Sequence, residues 1–231
     1  MFASPMMIRA RGLLRKLGIT RLISAFAARR EYEDRFRDAL MSLVRKGDVI
    51  WDIGANVGVY TEQFSQAVGE HGRVVCFEPI PECYATIDKK YGGNPHIIVR
   101  NLALGDTDGE ITMVKEDDPL ATTHRIASDN LEVKENYIRV PIARADTLVQ
   151  KEGLPFPNIV KIDVEGFEWE VLQGMSDLLS DERLRGIGIE VHFNLLAERG
   201  WAQQPQAIEN HLRKHGYATK WVDPSHLIAA R

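Results

Sequence analysis

The chain has 231 residues, of which 44% are apolar and 27% are charged, with a net charge of −4. Nothing in this balance demands disorder, and the length suits one α/β domain with modest additions rather than two substantial domains. No apolar run reaches the roughly twenty residues that cross a bilayer, and no signal peptide is evident. The two cysteines, Cys76 and Cys83, form no disulfide framework or repeated metal spacing, so a cytoplasmic protein is expected.

The first 30 residues form a basic arm with seven arginine or lysine residues and no acid, which leaves 22 basic and 33 acidic residues in the remainder. An acidic body repels nucleic acid, so no nucleic-acid partner is expected. Ile19, Leu22, Ile23 and Phe26 recur at helical spacing and predict an amphipathic helix. That helix could make peripheral contact with an anionic membrane surface or dock a partner, but packing on the parent domain is the simplest interpretation.

A second helix is predicted over residues 31–46, where apolar side chains recur near helical spacing before Gly47. This pattern divides the chain into two parts. Residues 1–46 are expected to form an N-terminal helical extension, and residues 47–231 are expected to form the main domain. The oligomeric state has no signature in the sequence.

The strongest motif is the stretch from Val49 to Tyr60, which predicts a buried strand, a glycine turn and a helix. Gly54 permits backbone angles that a side chain would forbid, and Gly58 lets the helix begin close to the sheet. The spacing differs from the Gly-x-Gly-x-x-Gly that holds a pyrophosphate. Asp52 ends the strand, and a carboxylate there favours a cation or sugar hydroxyls over phosphate. S-Adenosylmethionine, which combines a sulfonium with a nucleoside and lacks phosphate, fits such a pocket.

A second acid, Glu78, ends the next predicted strand, Arg73–Glu78. A carboxylate at this position can accept hydrogen bonds from both ribose hydroxyls, as the corresponding acid does in dinucleotide folds. Either acid alone would more often be a turn residue or helix cap. Because Asp52 and Glu78 lie at the ends of successive strands, together they favour a cofactor site.

The elements alternate along the chain in a way that predicts a parallel sheet. Helices are predicted at 60–68 and 81–91, and strands at 73–78 and 96–102, which implies right-handed crossovers and a ligand at the carboxyl ends of the strands. From 105 to 146 this regularity lapses into an irregular insertion with strands predicted at 111–115 and 137–143. The polar segment between them could be a lid whose Thr122, Thr123, His124 and Arg125 face a substrate, or a surface excursion without that role.

The alternation resumes with a strand at Ile159, which carries an unusual set of charges. Lys161, Asp163 and Glu165 lie on one side of an otherwise apolar strand. Charged groups inside a domain are costly unless they are paired or used. The set therefore indicates either a salt-bridged strand edge or a reaction site.

The last part of the chain predicts a strand over 186–191, a helix over 206–215 and a final hairpin of strands at 217–222 and 227–230. His192 follows the first of these strands and should lie at the same rim as Asp163. Glu190, two residues earlier, lies on the same face and could orient the imidazole or bind substrate.

These motifs resemble those of the FkbM family of S-adenosylmethionine-dependent methyltransferases, from about Gly47 to the C-terminus. The most specific part is Lys161–Glu168 followed by Val171–Gly174, whereas Asp52–Gly58 alone would indicate only a class I methyltransferase. The resemblance implies a Rossmann-like class I methyltransferase fold. This fold has a mostly parallel seven-stranded sheet with an antiparallel last strand, helices on both faces and, here, additional N-terminal helices.

The resemblance also implies O-methylation of a hydroxyl on a sugar or natural-product scaffold, so the acceptor would be a small molecule, a glycan or a glycolipid. The residues expected to bind the cofactor are Asp52, Gly54, Ala55, Asn56, Gly58, Tyr60, Glu78, Pro79, Asn101, Leu102, Ala103 and Asp163. Among them, Glu78 is expected to hold the ribose, and the turn from Asn101 to Ala103 to approach the adenine.

Methyl transfer to a hydroxyl needs close positioning and a general base. His192 is the preferred base because an unperturbed imidazole titrates near working pH, and Asp163, Glu190 and Lys161 complete the expected catalytic set. A divalent cation held by Asp163, Glu190 and His192 could assist, but no metal motif is present and a metal-independent reaction is expected. The alternatives are a non-catalytic nucleoside- or partner-binding protein with this fold and, less favoured by the glycine spacing, a nicotinamide-dependent oxidoreductase.

Overall fold

The computed structural model describes residues 32–114, 125–126 and 137–231. The predicted amphipathic helix within residues 1–30 lies outside the described residues. So do the side chains of the polar segment, and the expectations for Thr122, Thr123, His124 and Arg125 therefore stay predictions.

Eleven strands occupy the described ranges and form two sheets. The main sheet has seven strands in the order β10-β11-β9-β8-β1-β2-β3, and the second sheet has the order β4-β7-β5-β6. The strands are β1 (Val49–Ile53), β2 (Arg73–Phe77), β3 (Ile97–Arg100), β4 (Ala103–Leu104), β5 (Gly109–Val114), β6 (Arg125–Ile126), β7 (Tyr137–Ala143), β8 (Ile159–Ile162), β9 (Gly186–Glu190), β10 (Ala218–Trp221) and β11 (His226–Ala230).

Five strands of the main sheet, β3, β2, β1, β8 and β9, pair in parallel, and β11 inserts antiparallel between β9 and β10. This arrangement confirms the predicted Rossmann-like class I fold with its antiparallel last strand. The last two strands, β10 and β11, form a hairpin, because antiparallel neighbours need only a short connection. Strand β11 of this hairpin pairs with β9. The carboxyl ends of the parallel strands meet at one edge of the sheet, where this architecture places its ligands.

Helices cover both faces of the main sheet. Residues 32–41 are helical, and the later helices are Val59–Val68, Pro81–Tyr91, Ala145–Glu152, Glu168–Gln173, Ser176–Ser180, Phe193–Glu198 and Gln204–Lys214. Strand alternation divides the core accordingly. Ile50 faces a cluster that includes Phe36 and Phe64, whereas Trp51 faces a second cluster with Leu148 and Leu212. None of the helices in the described ranges combines the length and apolar character that crossing a bilayer requires.

The helix at 32–41 lies against the main sheet. Its Phe36 and Leu40 are buried, and a methyl group added at Gly188 of β9 would come within 2.9 Å of Phe36 and 3.0 Å of Leu40. Gly188 therefore allows this close approach of helix and strand. This part of the expected N-terminal helical extension packs into a core cluster with Ile50 and Phe64.

The second sheet gives structure to the predicted irregular insertion. β5 pairs antiparallel with β7 from Gly109–Ile142 to Val114–Tyr137, and β4 pairs in parallel with β7. This pairing buries a small third cluster formed by Ile80, Ala103, Met113, Val140 and Ile142. The sheet thus places β5 beside the carboxyl ends of the main strands.

Candidate active site

A cavity of about 480 Å³ lies at the carboxyl ends of β1, β2, β8 and β9. Its size is within the range of small-molecule sites, and its wall is mainly apolar with a few polar groups, as such sites usually are. The sequence-predicted residues that line it are Gly54, Ala55, Asn56, Tyr60, Glu78, Pro79, Leu102, Ala103, Lys161, Asp163, Glu190 and His192.

The glycine turn after β1 forms one wall of the cavity. Gly54 has φ +76°, and a methyl group added to it would lie 1.8 Å from the backbone oxygen of Asp163. Its N–H donates to the carbonyl of Phe77 at 3.0 Å. A glycine is needed here because the turn is left-handed and touches the chain that follows β8.

Glu78 lies at the end of β2, lines the cavity and is 5% exposed. One carboxylate oxygen accepts the N–H of Asn56 at 2.8 Å, and the other accepts the N–H of Ile80 at 2.9 Å. Burial raises the pKa of Glu78 to about 7, although both hydrogen bonds oppose the rise. The backbone therefore fixes the carboxylate in the wall while its remaining lone pairs can accept from a ligand.

Asp52 does not reach the cavity, contrary to the sequence expectation. Strand alternation directs its side chain to the same face as Ile50, where it is fully buried. One oxygen accepts the hydroxyl of Thr61 at 2.7 Å, and the other lies 3.6 Å from Nζ of Lys161. Asp52 is thus half of a buried ion pair behind the wall.

Gly58 and Asn101 also lie outside the cavity lining. Gly58 has φ +81° at the start of helix Val59–Val68, and its N–H donates to Ala55 at 2.8 Å. The amide of Asn101 donates to the carbonyls of Glu78 and Pro79 at 2.8 and 2.9 Å. Both residues therefore shape the backbone that presents the lining residues.

Lys161 contacts both Asp52, behind the cavity wall, and Asp163, in the cavity lining. Its Nζ donates to the carbonyl of Gly54 at 3.1 Å and to Asp163 at 3.2 Å, and lies 5.0 Å from the centre of the Tyr60 ring. Burial lowers the pKa of Lys161, but attraction to Asp163 and Asp52 outweighs it, and the pKa is raised. Lys161 is therefore held as a cation, and the salt bridges that were one interpretation of this strand are present. The reaction-site interpretation stays a prediction.

His192 lies among four carboxylates at the rim of the cavity. Nδ1 is 2.7 Å from Glu168, and Nε2 is 3.1 Å from Glu165, 3.7 Å from Asp163 and 3.9 Å from Glu190. Burial lowers the pKa of His192, but the hydrogen bond with Glu168 and the charges of Glu168, Glu165 and Asp163 raise it to about 9. The imidazole is therefore protonated at neutral pH, unlike the unperturbed group assumed from the sequence.

The pKa values of two neighbouring acids are shifted in opposite directions. Burial raises the pKa of Glu165 to about 7, with His192 opposing the rise. Burial also favours a higher pKa for Glu190, but the adjacent His226, 3.4 Å away, together with His192, lowers it to about 2. His226 is itself held by Asp223 at 2.8 Å. Glu190 is therefore a permanent carboxylate, whereas Glu165 titrates near neutral pH.

Side chains of the kinds that bind divalent cations meet at this rim. Asp163, Glu165 and His192 bring one donor atom each within 4.8 Å of one another, as do Glu33, Glu190 and His226. Both imidazoles already pair with carboxylates here, His192 with Glu165 at 3.1 Å and His226 with Glu190 at 3.4 Å. Charge pairing alone therefore explains why these carboxylates and imidazoles lie together. The expected metal-independent reaction stays a prediction.

Several lining residues were not identified from the sequence. Ile111 and Met113 enter from β5, and Glu33 enters from the first described helix. Glu168, behind His192, lay within the family-like motif but had no assigned role. The alternation in β5 shows that Ile111 and Met113 share a face, but only the pairing of the second sheet shows that this face lies at the cavity.

The chain is similar to known methyltransferases. Residues 52–219 match the methyltransferase FkbM domain. Hexuronic acid methyltransferase AglP of Haloferax volcanii is 28% identical over 156 residues, which cover 66% of this chain and 59% of that protein. The 2-O-methyltransferase NoeI of Sinorhizobium fredii is 26% identical over 157 residues, which cover 62% of this chain and 64% of that protein.

The fold has a relative of solved structure. A methyltransferase FkbM from Methylobacillus flagellatus superposes with a TM-score of 0.54 at 15% identity, covering 80% of this chain and 43% of that one. This chain thus spans less than two thirds of the length of each relative described. Because the family match extends over residues 52–219, well over half of the sequence, the chain belongs to the methyltransferase FkbM domain family.

Proposed function

We propose that this protein is an S-adenosylmethionine-dependent methyltransferase that methylates a hydroxyl oxygen of a sugar or a related scaffold. The observation that carries the proposal is a cavity where buried Glu78 and the cluster around His192 face the same space. Glu78 is suited to binding a nucleoside, and the groups around His192 are suited to proton transfer. Membership of the methyltransferase FkbM domain family supports the same chemistry.

The lining residues fit an adenosyl donor. Glu78 would hold the ribose, because its oxygens keep acceptor capacity beyond the two backbone N–H groups that fix them. Leu102 and Ala103 would contact the adenine, and the turn at Gly54 would contact the methionine portion. The acidic rim would favour the positive charge of the sulfonium. When bound, S-adenosylmethionine supplies the electrophilic methyl group.

His192 is our proposed general base. Its Nε2 faces the cavity side of the cluster, 3.7 Å from Asp163 and 3.9 Å from Glu190. Since the pKa of His192 is raised to about 9, the neutral form that can accept a proton grows as the pH rises towards that value. Glu165, with a pKa of about 7, is the alternative base. Asp163 and Glu190 would orient the acceptor hydroxyl through hydrogen bonds.

The curated relatives support a sugar acceptor. One is named for a hexuronic acid and the other for methylation at a 2-oxygen. A glycan, a glycolipid or a small sugar-containing molecule would present such a hydroxyl. We expect the reaction to proceed without a metal ion, so exhaustive chelation should leave the rate unchanged.

A methyl-transfer assay tests this proposal. The protein is incubated with S-adenosylmethionine carrying a labelled methyl group and a panel of neutral, amino and uronic acid glycosides. The labelled methyl group should appear as a methyl ether on a hydroxyl oxygen of at least one sugar, and the His192→Asn variant should transfer at least tenfold less. Donor binding without transfer to any sugar hydroxyl would favour the non-catalytic alternative, and binding of NAD in place of the donor would favour an oxidoreductase.

A further inference from the structure

We propose that Glu168 is a positioning residue that fixes the tautomer and orientation of His192, so that Nε2 is presented to the cavity. The inference rests on the proposed function, because it assigns a role to the side chain behind the proposed base. Glu168 opens the helix Glu168–Gln173, and its side chain is fully buried. It is not part of the cavity lining.

The contact between the two side chains is direct. One oxygen of Glu168 lies 2.7 Å from Nδ1 of His192 and also accepts the N–H of Gly166 at 2.9 Å. A carboxylate can only accept at this position, so Nδ1 must carry the hydrogen and Nε2 is left as the titrating nitrogen. The backbone bond from Gly166 fixes the carboxylate, and the carboxylate in turn fixes the ring.

The other charged groups around His192 do not share this role. Asp163, Glu165 and Glu190 all approach Nε2, on the opposite edge of the ring. They belong to the rim and line the cavity, whereas Glu168 approaches from behind it. Removing the Glu168 carboxylate would therefore leave the imidazole free to rotate without removing a group from the cavity wall.

The neighbouring Glu170 offers a matched control. It is also a buried carboxylate on the same helix, but its partner is Arg199 rather than His192. Replacing either glutamate with glutamine removes one buried charge from the same helix. Only the replacement at 168 changes the partner of the imidazole.

Nitrogen NMR of ¹⁵N-histidine-labelled protein tests the inference without any turnover. The His192 signals are assigned by their loss in His192→Asn. Wild-type protein should show hydrogen on Nδ1 in the neutral ring and a pKa well above 6.5. Glu168→Gln should lower that pKa by at least one unit and shift the rising limb of the pH–rate profile equally, while the dissociation constant for S-adenosylmethionine stays within about twofold.

The other variants keep the inference testable if Glu168→Gln folds poorly. Glu168→Asp, which keeps the charge, should return the His192 titration towards the wild-type value, and Glu170→Gln should leave it unchanged. A wild-type imidazole that titrates near 6.5, or one that Glu168→Gln does not shift, would overturn the positioning role. Correct His192 spectra in a protein that transfers no methyl group would instead overturn the proposed function.

Discussion

At the scale of single residues, three buried acids do different work because their partners differ. Glu78 is fixed by two backbone N–H groups and faces the cavity. Asp52 is fully buried against Lys161 and faces away from it. Glu168 is fully buried behind His192. A buried carboxylate can thus line a cavity, neutralise a lysine or contact a histidine, and its neighbours decide which.

The Asp52→Asn substitution should lower the stability of the fold. Removing one partner of a buried ion pair typically costs about 3–5 kcal/mol. Here Lys161 keeps its second partner Asp163 at 3.2 Å, so a loss of about 3 kcal/mol in the free energy of unfolding is expected. Urea unfolding measures it, and Asp38→Asn in an exposed pair with Arg37 is the control. If Asp52→Asn weakened donor binding without changing unfolding, Asp52 would be a ligand-binding group after all.

The pH dependence of kcat/KM should identify the base. Below its pKa of about 9, His192 is mostly protonated, so each unit of increasing pH should raise the rate about tenfold until the profile levels near pH 9. A profile that levels near pH 7 would instead assign the base to Glu165, whose pKa is about 7. His192→Asn should abolish the rise between pH 7 and 9 and serves as the control.

At the scale of elements, the site depends on contacts between segments that are distant in sequence. The turn after β1 touches the chain after β8, and β5 of the second sheet brings Ile111 and Met113 to the cavity. The sequence predicted strands at the positions of β5 and β7, because the alternation of apolar and polar residues along each of them is local. It did not predict the second sheet, whose pairing joins residues 109–114 with 137–142 across a long polar segment.

Gly54→Ala tests the close contact between the turn and β8. The new methyl group would lie 1.8 Å from the backbone oxygen of Asp163, and φ is +76°. Both the clash and the left-handed backbone destabilise the variant, so the loss should exceed about 3 kcal/mol in thermal or urea unfolding. Gly93→Ala, where a methyl group meets nothing within 4 Å, should unfold like the wild type. Equal stability of the two variants would contradict the described turn.

At the scale of the whole molecule, the fold and the edge that carries the site could be predicted, but the finer chemistry could not. Alternating strands and helices specify a parallel sheet with its ligand at the carboxyl edge. That logic correctly brought Glu78, Asp163, Glu190 and His192 to one cavity. It misplaced Asp52, because alternation along β1 turns that side chain to the same face as Ile50, away from the cavity. It also missed the raised pKa of His192, which depends on how closely the fold brings Glu168, Glu165 and Asp163 to the ring.

The central claim is that the cavity binds S-adenosylmethionine through Glu78. Isothermal titration calorimetry of the wild type, Glu78→Gln and the control Asp181→Asn, a partly exposed acid outside the cavity lining, tests it most directly. One donor per chain should bind the wild type and the control with equal affinity. Glu78→Gln should bind about tenfold or more weakly, because hydrogen bonds to a charged group contribute about 1.5–3 kcal/mol. The absence of saturable heat in the wild type, or equal affinity in Glu78→Gln, would contradict the account.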